Sequence, residues 1–430
     1  MKRTPRLLIV TIVIAFLVSG TMLAIKFAKG YRPSLTNKAF EGTGLLSVNS
    51  LPKGASVFIN DKLTTATDDT LNLPPGEYQV KIAKDGYTPW EKTLKLEPEL
   101  VTQTNTRLFP SVPDLKPLTF TGATNLAPSP DGQKIAFVIN SATTNDKNGL
   151  YILDLLDRPF ALNSDARQIT RNSKAFDYST ASFTWSPDST QIIATFKDAN
   201  LLLSISNFSD QKDQKDITAS LPILLKEWNL ELDKKEHEKL VKLPDFIQQV
   251  ATTSATAVYF SPDEDKLMYT ATASAQIPDE LIIPLPASST QKQNRDIKPG
   301  NVYIYDIEED KNFWIASADS RSVLEGTPLR PDLNENSEPS PDLLSHLSNR
   351  YSPLNLQNIQ WYPDSRHLIK ILEDKIDIIE YDNTNHQTIY AGPFVNFFAY
   401  PWPNGNRLII LASLNGGSHL PPNLYSINLK

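Results

Sequence analysis

The chain has 430 residues, 40% hydrophobic and 21% charged, a globular composition with room for two or three domains. Cysteine is absent, which excludes disulfides, zinc–thiolate sites, cysteine nucleophiles and lipid attachment through cysteine. Residues 1–38 hold seven Lys/Arg and no acid while the formal total is −7, so the remainder carries −14, and an acidic bulk argues against a nucleic-acid partner.

In chain order, residues 1–6 form a basic leader, with Lys2, Arg3 and Arg6. Leu7 to Ile25 then runs for 19 residues without a charge. As a helix this stretch is roughly 28 Å long, close to the hydrocarbon thickness of a bilayer, and it has no polar face. The sequence therefore predicts a transmembrane helix at 7–25, a single-pass signal anchor; the alternative is a signal peptide cleaved near Val18-Ser19-Gly20. Lys2, Arg3, Arg6 and the terminal amine precede the helix, and Lys26, Lys29 and Arg32 follow it. A short positive leader before the apolar segment places the N-terminus in the cytoplasm and the C-terminal part outside the cell. Residues 26–43 carry few structure signals and read as a stalk.

From 44 to 108 the pattern is that of short strands. Leu46, Val48, Val57 and Ile59 alternate with polar residues, as do Tyr78, Val80 and Ile82. Turns fall at Pro52-Lys53-Gly54-Ala55, at Leu73-Pro74-Pro75-Gly76 and at Lys84-Asp85-Gly86-Tyr87, with Gly76 and Gly86 where a tight turn favours positive φ. Tyr78, Tyr87 and Trp90 are expected to pack this small core. These motifs resemble the PEGA domain, with Lys53 where the family name has Glu. The resemblance implies a small β-sandwich that serves as a surface spacer and carries no catalytic residue.

From 112 to 430 a unit repeats: an apolar or aromatic residue, then Ser/Tyr-Pro-Asp, then a β-run. Its aspartates are Asp131, Asp188, Asp263 and Asp364, and a worn fifth copy runs through Tyr400-Pro401-Trp402-Pro403-Asn404-Gly405. Proline fixes φ in each turn and the aspartate accepts bonds from the turn backbone, so the next strand runs back antiparallel. Sheets of this kind bury their faces by stacking, and a closed ring protects most edges. The repeat resembles the propellers of TolB and of prolyl oligopeptidases. The expected fold is thus an all-β ectodomain, a PEGA-type β-sandwich followed by a β-propeller of five blades, with six as the alternative. Pro117-Leu118-Thr119-Phe120 is the candidate for a strand that closes the ring. Trp185, Trp361 and Trp402 are read as equivalent core positions.

Three insertions interrupt the repeat. Residues 221–250 read as a helical insertion, with Leu225, Trp228 and Leu232 at helical spacing and a charged middle, packed as a solvated pair on one propeller face. Residues 284–300 and 326–358 are rich in Pro, Ser, Asn and charge and read as long mobile loops, the usual place for binding on a rigid ring.

No catalytic, cofactor-binding or metal-ligating residue is assigned, and no cofactor is expected. His237, His346, His367, His386 and His419 lack metal-ligand spacing, and no phosphate-binding glycine loop or nucleophile elbow occurs. The repeated aspartates read as turn caps. The expectation is a non-enzymatic cell-surface protein: an anchor, a spacer and a propeller that binds protein or glycan partners through residues the sequence does not identify. The alternatives are an envelope enzyme with carboxylates in the propeller channel, and a TolB-like component of an envelope assembly.

Overall fold

The structure, a computed structural model, describes residues 4–28, 31–33, 40–156, 166–283, 289–317, 358–395, 397–414 and 421–430. It divides into two compact units, Met1–Phe109 with Pro284–Gln291, and Pro110–Ile283 with Lys292–Lys430.

The first unit opens with helix α1, Thr4–Ala28, which extends the apolar run by one turn at each end. Its Ile9–Lys26 window is wholly exposed, and it is long and apolar enough to cross a membrane, as an anchor or a signal sequence would. The stretch predicted as a stalk has structure of its own. Arg32–Pro33 pairs antiparallel with Phe40–Glu41, and the Tyr31 N–H donates to the Lys26 carbonyl at 2.9 Å.

The small β-module stacks two layers. One is a four-stranded antiparallel sheet in the order Lys62–Ala66, Ser56–Ile59, Gly76–Ala83, Trp90–Leu96. Against it lie a three-stranded sheet, Val101–Gln103, Gly44–Val48 and Asp69–Leu73, and a two-stranded parallel pair, Thr106–Arg107 with Ser50–Leu51. The period-two residues meet between them: Leu46, Val48, Val57, Val80 and Ile82 are fully buried and Trp90 is nearly so. Tyr78 and Tyr87 pack half-buried against this core. Gly86 adopts the left-handed φ of +82° its turn requires, but Gly76 opens its strand at φ 159°, close to extended; the other left-handed glycine of the module is Gly54.

The second unit contains five four-stranded antiparallel sheets among the described residues. In chain order, with the strands of each in spatial order, the first is Thr124–Pro128, Lys134–Ile139, Gly149–Asp154 and Arg167–Arg171. The second is Ser182–Trp185, Gln191–Thr195, Asn200–Ser204 and Lys215–Asp216. The third is Ala255–Phe260, Lys266–Ala271, Asn301–Asp306 and Lys311–Ser317. The fourth is Ile359–Trp361, His367–Ile371, Lys375–Glu380 and Gln387–Ala391. The fifth is Ala399–Pro401, Arg407–Ala412, Asn423–Asn428 and, from the start of the unit, Leu115–Pro117.

Strands in the middle of these sheets read as unbroken apolar runs because both faces are covered. In the first sheet, Ala136 and Val138 face the second sheet and pack with Trp185, Ile192 and Leu203. Ile135 and Phe137 face the other way and pack with Tyr400, Trp402 and Ile409 of the fifth. Met268, Ile304 and Phe313 of the third sheet meet Leu368 and Ile379 of the fourth. The fourth touches the fifth through the Gln360 side-chain amide on the Ala399 carbonyl and the Tyr362 hydroxyl on the Gly405 carbonyl.

The packing between the second and third sheets runs through the helical insertion. Helix α2, Leu221–Leu240, lays Leu225, Trp228 and Leu232 on Ile193 and Leu202 of the second sheet. Helix α3, Asp245–Thr253, packs Ile247, Val250 and Ala251 against Leu267, Tyr269 and Tyr303 of the third. The pair is therefore a wedge between sheets and not a solvated cap on one face. The charged middle of α2 misled that reading; its apolar stripe binds one sheet, and the tail of the insertion binds the next.

The fifth sheet takes its outer strand from Leu115–Pro117, paired antiparallel with Ile427 to Tyr425. The closing strand thus lies upstream of the predicted 117–120, where Phe120 is left 79% exposed. Pro117 has no N–H to donate and suits an edge strand. Thr119 still contributes, since its hydroxyl donates to Asn423 Oδ1 and accepts from the Leu424 N–H.

Candidate functional site

Antiparallel pairing separates the two ends of every sheet in the second unit. One end carries the hairpins after the first and third strands. The other carries the connections after the second strand and the crossovers to the next sheet.

At the hairpin end the repeat resolves into one turn used five times. In Ser129-Pro130-Asp131-Gly132 the fourth N–H donates to the first carbonyl at 2.9 Å, and the same bond recurs at Ser189, Glu264, Ser365 and Gly405. The fourth residue is left-handed each time, at φ +70°, +58°, +64°, +57° and +68°. This alignment corrects the reading of the tryptophans. Trp402 sits where the other turns have Ser129, Ser186, Ser261 and Tyr362, one position after Trp185 and Trp361. Trp185 and Trp402 are buried, whereas Trp361 is half-buried.

The non-glycine choices at the left-handed position have a reason. Ser189 Oγ accepts the Asp131 N–H of the preceding turn at 3.1 Å, and Ser365 Oγ accepts that of Asp263 at 3.0 Å. At the same two junctions the Trp185 and Trp361 indoles donate to the carbonyls of Ala127 and Tyr259. Glu264 instead pairs with Lys239 and Lys242 at the C-terminal end of α2.

The four aspartates point into their own turns. Asp188 accepts from the Thr190 N–H at 3.1 Å and the Ser186 hydroxyl at 2.6 Å, and Asp364 accepts from the Arg366 N–H at 3.0 Å. Burial raises the pKa of Asp188, but the bonds from Ser186 and Thr190 outweigh it and hold the carboxyl below its usual value. A carboxylate with a depressed native pKa stabilises the fold above its unfolded pKa of about 4, and that stability is lost as pH falls through the lowered native value. Asp188 is exposed, so screening keeps the effect small: Asp188→Asn is expected to cost a few tenths of a kcal/mol at pH 7 and less as the pH falls below the ordinary carboxylate range, measured by urea denaturation across that range.

Two ionised clusters lie deeper. Lys266, 6% exposed, has its ammonium 2.6 Å from Asp265, 3.8 Å from Asp306 and 4.8 Å from the centroid of the Tyr381 ring. Burial, then the carboxylates of Asp306, Glu309, Asp382 and Glu380, push the Tyr381 phenol well up, so it stays neutral. In the second cluster the Arg295 guanidinium grips the Asp310 carboxylate at 2.8 and 3.2 Å and its carbonyl at 2.7 Å. Tyr305 donates its hydroxyl to Asp310 at 2.8 Å, as does the Leu281 N–H. This lock ties Leu281 and Arg295 to the turn that precedes the outer strand of the third sheet. Part of the predicted loop 284–300 is thus fixed: Asp296–Ile297 pairs with Ala275–Gln276 and Ile297 is buried. Residues 284–288 and nearly all of the other predicted loop, 326–358, lie outside the described residues, as do His346 and His419.

The opposite end is lined differently. The crossover from the fourth to the fifth sheet carries three aromatic rings in file. Tyr390 to Phe394 is 6.3 Å between centroids and Phe394 to Phe397 is 6.1 Å, both edge-to-face. Phe397 is 48% exposed and holds a left-handed φ of +50°. The file runs from the outermost strand of one sheet to the innermost strand of the next. Its only trace in the sequence is the apolar run Pro393-Phe394-Val395 ahead of Phe397-Phe398, which reads equally well as core. Among the described residues no group of three or more His, Asp or Glu side chains is placed to hold a metal ion.

Residues 43–111 match the PEGA domain family. No curated protein matches the chain. Among solved structures the chain is similar to a putative TolB from Agrobacterium tumefaciens, at 13% identity over 71% of this chain and 78% of that chain, with a TM-score of 0.20. It is similar to TolB from Acinetobacter baumannii, at 12% identity over 82% and 60%, with a TM-score of 0.22. A third is an acylaminoacyl peptidase from Pyrococcus horikoshii, at 11% identity and a TM-score of 0.16, of which the chain spans 36%. The small module is a PEGA domain, and the β-rich unit behind it has TolB propellers among its structural neighbours. The propeller reading of that unit rests on its own strand pairing.

Proposed function

We propose that this protein is a non-enzymatic, membrane-anchored protein of the cell surface, in which a PEGA spacer presents a five-bladed propeller that binds a protein or glycan partner. The anchor is α1, retained as a single span with its N-terminus in the cytoplasm. Each four-stranded sheet is one blade, and Leu115–Pro117 closes the ring against the C-terminal strand. The observation that carries the reading is the contrast between the two ends of the sheets. At the hairpin end the turn aspartates are engaged by their own turns, whereas at the crossover end Phe397 stands 48% exposed beside the half-buried rings of Phe394 and Tyr390. Exposed aromatic rings on a rigid frame are typical anchors for a partner.

The test uses the full chain in nanodiscs against arrays of envelope glycans and extended peptides. Phe394→Ala with Phe397→Ala is expected to weaken binding at least tenfold, about 1.4 kcal/mol or more, with the unfolding midpoint little changed. Unchanged binding in that variant would remove the crossover end as the binding face. Turnover of any arrayed compound would contradict the non-enzymatic reading.

A further inference from the structure

The crossover end of the fourth and fifth sheets combines apolar rings with uncompensated negative charge. Its backbone is held on both sides: the Gly392 N–H donates to the Asp374 carbonyl at 3.1 Å, and the Val395 N–H to the Leu411 carbonyl at 2.7 Å. The Tyr390 ring folds back over Gly392, where a Cβ would lie 3.0 Å from its hydroxyl oxygen, and that hydroxyl donates to the Pro393 carbonyl at 3.0 Å. Phe394 and Phe397 have no polar side-chain atom, and successive rings are tilted by 69° and 83°. The three rings therefore offer a sugar neither a coplanar platform nor a free hydroxyl donor, whereas ring faces and edges set at angles suit an aliphatic side chain. Phe120, 79% exposed, and Leu414, 38% exposed, add apolar surface at the same end of the fifth sheet. The loops after the second strands of these two sheets, with the crossovers that leave the sheets, hold two charged groups among the described residues, Glu373 and Asp374, and no Lys or Arg. Asp374 is exposed and makes no ion pair with a described residue. Of the lysines on the adjoining strands, Lys375 pairs with Asp377 at 2.9 Å, and Lys370 stands opposite the same Asp377 in register.

We propose that this surface takes a cationic, apolar peptide segment, with an aliphatic side chain seated against Phe394 and Phe397 and a neighbouring Lys or Arg facing Asp374. The inference rests on reading the crossover end as the binding face and names the class of partner for it. The rings supply contact area, and an unpaired carboxylate beside them selects the sign of the partner's charge. The bond from Gly392 holds Asp374 next to the start of the ring file, so an extended segment laid along the rings also passes the carboxylate.

The experiment reconstitutes the full chain into phosphatidylcholine nanodiscs and measures, by fluorescence anisotropy against empty discs, the binding of labelled Gly/Ser peptides that carry a Leu-Lys, Leu-Gln, Leu-Glu or Ser-Lys block. The parent chain is expected to bind the Leu-Lys peptide roughly tenfold more tightly than the Leu-Glu or Ser-Lys peptide, with the preference over Leu-Glu shrinking at about 0.5 M salt as charges are screened. Asp374→Asn is expected to weaken Leu-Lys binding by about three- to five-fold and to leave Leu-Gln binding unchanged, whereas Phe397→Ala weakens both. Equal affinity of the parent chain for the Leu-Lys and Leu-Glu peptides, or unchanged Leu-Lys binding in Asp374→Asn, overturns the proposal. An array of envelope glycans separates this inference from the reading beneath it. Glycan binding that is lost in Phe394→Ala with Phe397→Ala, without peptide binding, overturns the cationic peptide and keeps the binding face. If no peptide or glycan binds in a way that this double variant weakens, both fall.

Discussion

Asp310→Ala is expected to destabilise the second unit by about 3–5 kcal/mol, the largest effect of any single substitution considered for this chain. The reason is the charge it strands. The Arg295 side chain is 11% exposed and the Asp310 side chain 5%, and the carboxylate also accepts from Tyr305 and Leu281. Removing it leaves a buried guanidinium with only the Pro278 carbonyl and the exposed Asp279 carboxylate, 2.9 Å from its Nε, and releases Leu281 and Arg295 from the turn before the outer strand of the third sheet. Burial and the neighbouring carboxylate push the Tyr305 phenol up, so it remains a neutral donor at every working pH and cannot substitute for the lost charge. Replacing both partners together, Arg295→Met with Asp310→Leu, is expected to cost far less than Asp310→Ala alone, because no charge is then left buried. Urea denaturation of the three variants decides it, and equal costs for single and double variants would remove the ion pair from the account.

Ending the chain before Asn423 is expected to prevent the second unit from folding. The last strand pairs on both sides, with Arg407–Ala412 and with Leu115–Pro117. Its loss strips two neighbours of their partner and removes Leu424, Ile427 and Leu429, each at most 1% exposed. At about 1.5–3 kcal/mol for each buried side chain, these three alone approach the 5–15 kcal/mol that stabilises a typical domain. The open edges add to the loss. The expected result is rapid digestion of residues 110–422 in limited proteolysis under conditions where the full-length chain resists. A truncated chain as resistant as the full one would show that the second unit does not depend on this strand.

How legible the fold was depends on the length scale of the signal. The apolar stretch at 7–25, the alternation through Val57, Ile59, Val80 and Ile82, and the repeated Pro-Asp turns are local patterns with direct physical causes, and each appears where the residues placed it. The features that differ depend on contacts distant in sequence. Nothing near Leu115 marks it as the partner of Ile427. The charges of α2 speak for solvent until Ile193 and Leu202 supply the surface its stripe covers. The stalk looked featureless because a two-residue pairing carries no period. Trp402 was placed one position early because spacing alone cannot tell the turn residue from the strand residue before it; the recurrent bond between the first and fourth turn residues settles the alignment. The aromatic file at Tyr390, Phe394 and Phe397 was hidden for a related reason, since an apolar run does not state which of its rings will face water.

The account turns on a β-rich bulk held outside the cell by a retained helix, and the absence of cysteine makes that directly measurable. Single cysteines at Lys2, at Asp85 in an exposed turn of the PEGA module and at Lys212 on the surface of the second unit would each be the sole thiol of the chain. Labelling intact cells with a membrane-impermeant maleimide is predicted to modify the Asp85→Cys and Lys212→Cys variants at once and the Lys2→Cys variant only after permeabilisation. Labelling of Lys2→Cys in intact cells, with Asp85→Cys and Lys212→Cys protected, would contradict the account.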